Sequence, residues 1–285
     1  VKKVVIADRL FAIVDGGFTG ETLPAQGLDS WFIVYAFAFQ IYADFSAYSD
    51  IARGLSQLMG FELMKNFAAP YFVTNPSAFW RNWHISLSTW LRDYLYVPLG
   101  GNQKGTARTY FNLSVTMFLG GLWHGAGWAY IVWGVFQGLL LIVHRLFRSI
   151  FDTMAKPWSA PILKKIYRAI CIVVFFHITC IGWLIFRVGS FSLSNDKTLK
   201  DIDQVAYIKS SLIQMFSSVQ LQHWDVVRVV VPVAILALIY QKMHEVNDHF
   251  HVWPPKRQVF AVVASLIAIA TLGVFSGTEF IYFQF

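Results

Sequence analysis

Charged residues are scarce in this sequence, where Asp, Glu, Lys and Arg make up only 14% of the 285 residues. Apolar and aromatic residues reach 56%. A soluble domain of this length carries more charge on its surface, so the composition excludes an ordinary soluble enzyme or binding domain. The net charge is +7, but the Lys and Arg residues lie between apolar segments. This is the pattern of cytoplasmic loops in membrane proteins, and it argues against nucleic-acid binding.

Cysteine is nearly absent as well. Cys171 and Cys180 lie in one apolar run, and their spacing fits neither a disulfide framework nor a CxxC metal site. Three histidines and two carboxylates crowd residues 244–251, but their spacing matches no standard zinc pattern. We therefore expect no bound metal.

Long apolar segments fill most of the chain. Several approach the roughly 20 residues that a membrane-spanning helix needs. These segments are residues 31–60, 127–143, 169–186, 226–240 and 259–274. Residues 110–120 are apolar but too short to cross alone, so they either join the next apolar segment or form a half-helix that ends near His124. We expect an all-α fold, a polytopic membrane protein built as a multi-helix bundle with re-entrant or broken helices, in one domain over residues 1–285. The opening residues 2–15 predict a short amphipathic helix with its basic side chains toward water.

One imidazole stands out in the apolar sequence. The stretch Met117–Trp128 places His124 among four glycines and two tryptophans. The Gly120-Gly121 pair predicts a break in the helix that frees backbone N–H groups near the imidazole. In a soluble protein a lone histidine would be a hydrogen-bonded core residue, but at this depth in a membrane it indicates a functional site.

A second histidine lies in an aromatic segment. Residues 79–94 carry Trp80, Trp83 and Trp90 at helical spacing. Two interpretations remain open: an interfacial helix, and a re-entrant helix that lines a cavity with His84 and Arg81 pointing inward.

The apolar segment 31–60 also contains a carboxylate. Asp44 shares a helical face with Tyr48, four residues on. We expect it to face protein or a water-filled cavity, paired with an arginine such as Arg53 or Arg81.

Several motifs together resemble a known family. They are Lys2–Arg9, Tyr42–Ala52, Phe79–Asn102, Gly120–Gly125 and Phe280–Phe285. The sequence resembles the membrane-bound O-acyltransferases, in the bacterial branch that O-acetylates alginate and D-alanylates teichoic acid. The resemblance implies that the chain is the C-terminal portion of such a protein and that N-terminal helices precede it. It also implies a central tunnel in which donor and acceptor meet from opposite sides of the bilayer.

The resemblance implies roles for individual residues. His124 would be the catalytic histidine and His84 the second polar residue of the active site. A general base for acyl transfer must take the hydroxyl proton near neutral pH, and histidine suits that task. Substrate-binding roles would fall to four further residues: Arg81, Asn82, Trp123 and Asp44.

The function that the resemblance implies is O-acyl transfer. An acetyl or other acyl group would move from a cytoplasmic thioester toward hydroxyls of an exported polysaccharide such as alginate. Acetyl-CoA or another acyl thioester would be the donor substrate, and no cofactor would be bound. The expected partners are the lipid bilayer, a periplasmic or extracellular acetyltransferase and the polysaccharide acceptor. The expected location is the bacterial cytoplasmic (inner) membrane, with several passes.

Two alternatives belong to other classes. Broken helices with buried polar residues also build the substrate sites of transporters and channels. The chain shows no inverted repeat, and the aromatic segment 61–109 fits a re-entrant cap better than a conduction path. A non-catalytic scaffold that passes acyl groups is the third possibility.

Overall fold

The structure, a computed structural model, describes residues 1–19, 26–158, 160–193, 197–247 and 253–275. Within these ranges the fold is all-α, and no strand occurs among them. The helices are α1 Asp8–Thr19, α2 Leu28–Leu58, α3 Pro76–Asn82, α4 Ile85–Leu91, α5 Gly105–His124, α6 Trp128–Leu146, α7 Arg148–Ala155, α8 Pro161–Gly189, α9 Lys197–Lys200, α10 Gln204–Ser217, α11 Trp224–Asn247 and α12 Pro255–Leu272.

Four of the described helices are long and apolar enough to cross a membrane. They are Trp128–Leu146, Pro161–Ser192, Trp224–Lys242 and Pro255–Leu272. Large apolar side chains cover the outside of these helices; Phe260 on α12, for example, is 74% exposed. Such a surface is stable against lipid and not against water. The prediction of an all-α, polytopic membrane protein is confirmed.

The described residues form two compact units. One contains residues from 1–69, 194–202 and 206–285, and the other contains residues from 70–193 and 203–205. The single membrane domain expected over residues 1–285 and its central tunnel stay predictions.

Buried ion pairs organise the first unit. A π-helix, Lys2–Ala7, precedes α1 and packs beside α2. The Lys3 ammonium lies 2.9 Å from an Asp8 carboxylate oxygen and 3.0 Å from one of Asp44. Lys2 pairs with Asp50 at 2.7 Å. The prediction that these lysines face water is therefore wrong, because the carboxylates of α2 supply partners that compensate their burial.

Two glycines set the packing of the second unit. Helices α5 and α6 form an antiparallel hairpin in which Gly121 and Gly134 face each other. A methyl group on Gly121 would collide with the carbonyl oxygen of Tyr130 and lie 3.1 Å from the Gly134 Cα. One on Gly134 would lie 2.5 Å from the carbonyl oxygen of Met117. The backbones therefore touch directly, as membrane helices do where both carry small residues.

The glycine pair does not break the helix. Helix α5 runs through Gly120-Gly121 and ends at His124, so the prediction that this pair frees backbone N–H groups is wrong. Gly121 allows α6 to pack closely on α5. The helix and its hydrogen bonds continue through both glycines. The expected break falls one residue after His124. The helix ends at His124, as the half-helix alternative predicts, but with 20 residues from Gly105 it is longer than the predicted half-helix over residues 110–120.

The tryptophan stripe is not one helix. The chain forms α3, turns at Trp83-His84 and begins again as α4. Trp83 takes an extended conformation and His84 a left-handed one, with φ of 43°. Helix α3 starts with a strong local signal, since the Asn75 side chain accepts a hydrogen bond from the Ala78 N–H at 2.8 Å and Pro76 follows it. No comparable signal marks where it ends.

We expect Gly121→Ala to destabilise the second unit, because its methyl group meets backbone and not a flexible side chain. Overpacking of this kind typically costs about 1 to 3 kcal/mol. The measurement is the thermal unfolding of the full-length protein in detergent. Gly54→Ala on α2 is the matched control, because nothing lies within 4 Å of the new methyl group. The control should be neutral or slightly stabilising, and equal effects of the two variants would contradict the packing described here.

Candidate active site

The turn at Trp83-His84 holds the first candidate histidine. A non-glycine residue with positive φ is strained, and such strain persists only where the surroundings enforce it. The Ser88 hydroxyl donates to the carbonyl oxygen of Trp83 at 3.0 Å and braces the turn. The indole of Trp83 stacks on Phe79 with ring centroids 5.6 Å apart, and lies 4.6 Å from the ring of Trp183 on α8. The buried tryptophan thus anchors the backbone that presents His84.

The end of α5 holds the second candidate histidine. Gly125 follows it with φ of 154° and ψ of 167°, a conformation essentially confined to glycine. The chain then turns at once into α6, whose first turn is fixed by a hydrogen bond from the Ala129 N–H to the Gln204 side chain at 2.9 Å. Because the connection is so short, His124 faces the first turns of α6.

Aromatic rings surround the His124 imidazole. Its centroid lies 5.3 Å from that of Trp133, with the planes perpendicular, and 4.9 Å from that of Phe186 on α8. Tyr130 stacks on it at 6.1 Å. The residue is only 8% exposed. The imidazole is therefore largely shielded from water by side chains from α6 and α8.

The structure brings the two histidines together. Trp123 contacts both, with its ring centroid 6.1 Å from that of His84 and 4.9 Å from that of His124. A charge on either imidazole would act on the other, since each lies within electrostatic range. The expectation that they share a site agrees with this geometry, while their catalytic roles stay predictions.

The four residues predicted to bind substrate differ in their exposure and in the unit to which they belong. Trp123 is 58% exposed, so part of its ring is open to a ligand or to lipid. Asn82 is half-buried beside the strained turn. Arg81 is exposed and lies within electrostatic range of His144. Asp44 belongs to the first unit, where its carboxylate lies 3.0 Å from the Lys3 ammonium. Their substrate-binding roles stay predictions.

Burial keeps both imidazoles neutral. They lie outside the four candidate spans. Burial lowers the pKa of His84 from its ordinary 6.5 to about 4. It lowers the pKa of His124 to about 3, helped by the nearby His84. The unprotonated imidazole is the form that accepts a proton from a bound hydroxyl, although the lowered pKa makes each ring a weaker base than a free imidazole.

Sequence reasoning missed the aromatic shell of His124. Tyr130 and Trp133 were detectable, because a tight Gly125-to-Gly127 turn places the first turns of α6 against the end of α5. Phe186 had no local signal, since it lies on α8, far along the chain. Among the described residues, no group of three or more His, Cys, Asp or Glu side chains has the geometry of a metal site.

Comparison with known proteins identifies the family. Residues 6–185 match the model of MBOAT, the membrane-bound O-acyltransferase family. The chain belongs to this family. The matched region includes both histidines and all of the helices that surround them except the end of α8.

The relatives of the chain carry three kinds of name. The chain is similar to the Pseudomonas putida protein named "Probable alginate O-acetylase AlgI". The two are 47% identical over 68% of this chain and 37% of the relative. The Helicobacter pylori peptidoglycan O-acetyltransferase is 43% identical over 54% of this chain and 30% of its own. The Streptococcus thermophilus teichoic acid D-alanyltransferase is 30% identical over 61% of this chain and 43% of its own. The matched segments thus cover less than half the length of each of these relatives, 30% to 43%.

The neutral histidines make stability depend on pH. Because their folded pKa values of about 4 and about 3 lie below the ordinary 6.5, the unfolded chain binds more protons between these limits. The contribution of the two histidines to the free energy of unfolding should therefore be complete above pH 6.5 and should decrease as the pH drops toward 4. The decrease is up to about 1.4 kcal/mol per pH unit for each imidazole.

This is checked by thermal unfolding of the full-length protein between about pH 7 and about pH 5. His124→Gln should weaken the pH dependence, because glutamine does not titrate. An unchanged dependence in the variant would show that His124 is not buried in its neutral form.

Proposed function

We propose that the full-length protein is a membrane O-acyltransferase in which His124 is the general base. It transfers an acetyl group from a thioester to hydroxyls of an exported polysaccharide such as alginate. The observation that carries the proposal is the pairing of two neutral, buried histidines around Trp123 within a chain of this family. The names of the relatives support acetyl transfer to a polysaccharide, since the alginate relative is 47% identical and the D-alanyl relative 30%.

The geometry suits acyl transfer. His124 takes the proton of the acceptor hydroxyl as its oxygen attacks the thioester carbonyl carbon, and the carbonyl electrons move onto oxygen. When the tetrahedral intermediate collapses, the C–S bond breaks and the thiolate takes the proton from the imidazolium. The products are an ester and a thiol. The dry aromatic surroundings strengthen each polar interaction in the site and keep water from the thioester.

His84 acts beside His124. Its neutral ring can orient the base or donate a hydrogen bond to the thioester carbonyl, and both roles require the strained turn that holds it. Asn82, next to it in sequence, and the exposed ring of Trp123 contribute to substrate binding. Arg81 binds an anionic group of the donor at the exposed end of α3.

Donor, acceptor and location follow from the proposed reaction. Acetyl-CoA or another acyl thioester enters from the cytoplasm as a substrate, and no cofactor is resident. The acceptor side faces the periplasm or the cell exterior, either directly or through a partner acetyltransferase there. The protein then lies in the bacterial inner membrane. Asp44 forms an ion pair with Lys3 in the first unit, and the substrate-binding role that the resemblance implies for it remains part of the proposal.

His124→Gln should abolish acetylation, because glutamine cannot take the hydroxyl proton. The measurement is the acetyl-ester content of the exported polysaccharide in cells that carry the full-length variant. The amount of protein in the membrane is measured in parallel.

His177→Gln is the matched control. This half-buried histidine on α8 bonds the Val173 carbonyl of its own helix at 2.7 Å. Its variant should acetylate normally. Normal acetylation by His124→Gln would reject the proposed function.

His84→Gly separates chemistry from folding. Glycine adopts the left-handed conformation without strain, whereas alanine retains a strain of about 1 kcal/mol. We expect the glycine variant to be at least as stable as His84→Ala, and both to lose most of their acetylation. The measurements are thermal unfolding and ester content. Recovery of acetylation in the glycine variant alone would show that the turn matters and the imidazole does not.

A further inference from the structure

Two buried indole N–H groups near His124 have no acceptor among the described residues. Trp133 is 2% exposed, and its Nε1 makes no hydrogen bond within the part of the chain that the structure describes. The same holds for the buried Nε1 of Trp80 on α3. The two rings are in contact, with centroids 5.8 Å apart and planes at 72°. The two indoles are therefore neighbours, and the Trp133 ring contacts the His124 ring with centroids 5.3 Å apart.

A buried donor without an acceptor is costly. The penalty is about 1 to 3 kcal/mol for each group, and most buried polar groups in proteins are satisfied. Phenylalanine would fill much of the same space without this penalty, as Phe186 does beside Trp133, with ring centroids 5.2 Å apart. Packing alone thus explains the aromatic rings at these positions and leaves their N–H groups unexplained.

We propose that Trp133, together with Trp80, donates hydrogen bonds to the carbonyl oxygen of the acyl thioester. The inference rests on the proposed function, since it takes His124 to be the base. A hydroxyl that hands its proton to His124 lies against that ring, and the acyl carbon it attacks lies beside it. The carbonyl oxygen of this carbon then needs a donor in the same aromatic shell. Trp133 belongs to that shell, and its ring plane is perpendicular to the His124 ring.

The hydrogen bonds from the indoles to the carbonyl oxygen are stronger in the transition state than in the ground state. As the hydroxyl oxygen bonds to the acyl carbon, the carbonyl electrons move to oxygen and negative charge builds there. The indole N–H groups stabilise this charge, and when the C–S bond breaks the electrons return to re-form the carbonyl. Because the donors are fixed by packing, they need no reorganisation during the step. Neither indole gains or loses a proton.

The first test compares two tryptophan variants of the full-length protein. Trp133→Phe keeps an aromatic ring and removes the N–H. We expect kcat for acetyl transfer from acetyl-CoA to fall roughly 100-fold, with a much smaller change in KM, as when one oxyanion donor is lost. Trp80→Phe should act in the same direction.

Trp31→Phe on α2 is the control. Its Nε1 already donates to the Met215 carbonyl at 3.1 Å. Removing that N–H should lower thermal stability and leave kcat unchanged. An unchanged kcat in Trp133→Phe would overturn the inference, and so would a kcat loss that Trp31→Phe reproduces.

The second test does not depend on turnover. Acetyl-CoA labelled with ¹³C at the acetyl carbonyl is bound to full-length protein carrying His124→Ala, and the carbonyl stretch is read by isotope-edited infrared difference spectroscopy. A hydrogen bond from Trp133 lowers this frequency, so adding Trp133→Phe should raise it. Identical frequencies would overturn the inference. If His124→Gln abolishes acetylation while Trp133→Phe changes neither kcat nor frequency, the proposed function stands and only the tryptophan role fails.

Discussion

The direct backbone contact between Gly121 and Gly134 is the constraint on which the second unit depends. Lipid is as apolar as a leucine side chain, so helices associate in a membrane through close packing more than through hydrophobic burial. With no side chain on either glycine, α5 and α6 come together just before their connecting turn. His124, one helical turn beyond Gly121, is thereby pressed against Tyr130 and Trp133. A larger residue at either glycine would open the hairpin at the site itself.

A second constraint is the strained turn at His84, which only its surroundings can maintain. Trp83 is stacked against Phe79 and Trp183, so α8 holds the turn from the other side of the aromatic cluster. The same helix supplies Phe186 to His124. One helix thus fixes both histidines, and both are neutral because they are buried. A neutral imidazole is the form that a general base requires, and the low pKa that burial gives it must rise when substrate binds for proton abstraction to be efficient at neutral pH.

The sequence predicts where the helices of this unit lie better than it predicts which side chains contact the two histidines. The apolar run after Gly127 indicates α6, and glycines on both sides of His124 indicate that a helix stops there. The Gly120-Gly121 pair misleads, because a small residue that weakens an isolated helix also permits a close helix contact, and only the neighbour decides. The turn at His84 carries no proline or glycine, so its left-handed conformation has no sequence signal. Phe186 reaches the site only through tertiary packing.

The most direct measurement is a cryo-electron microscopy structure of the full-length protein bound to a non-hydrolysable thioether analogue of acetyl-CoA that retains the carbonyl group. We predict that the carbonyl carbon lies within about 4 Å of an imidazole nitrogen of His124, or of a hydroxyl bonded to that nitrogen, with the aromatic side chains of α6 and α8 around it. A carbonyl group bound elsewhere, with His124 still enclosed by the same rings and out of reach, would contradict it.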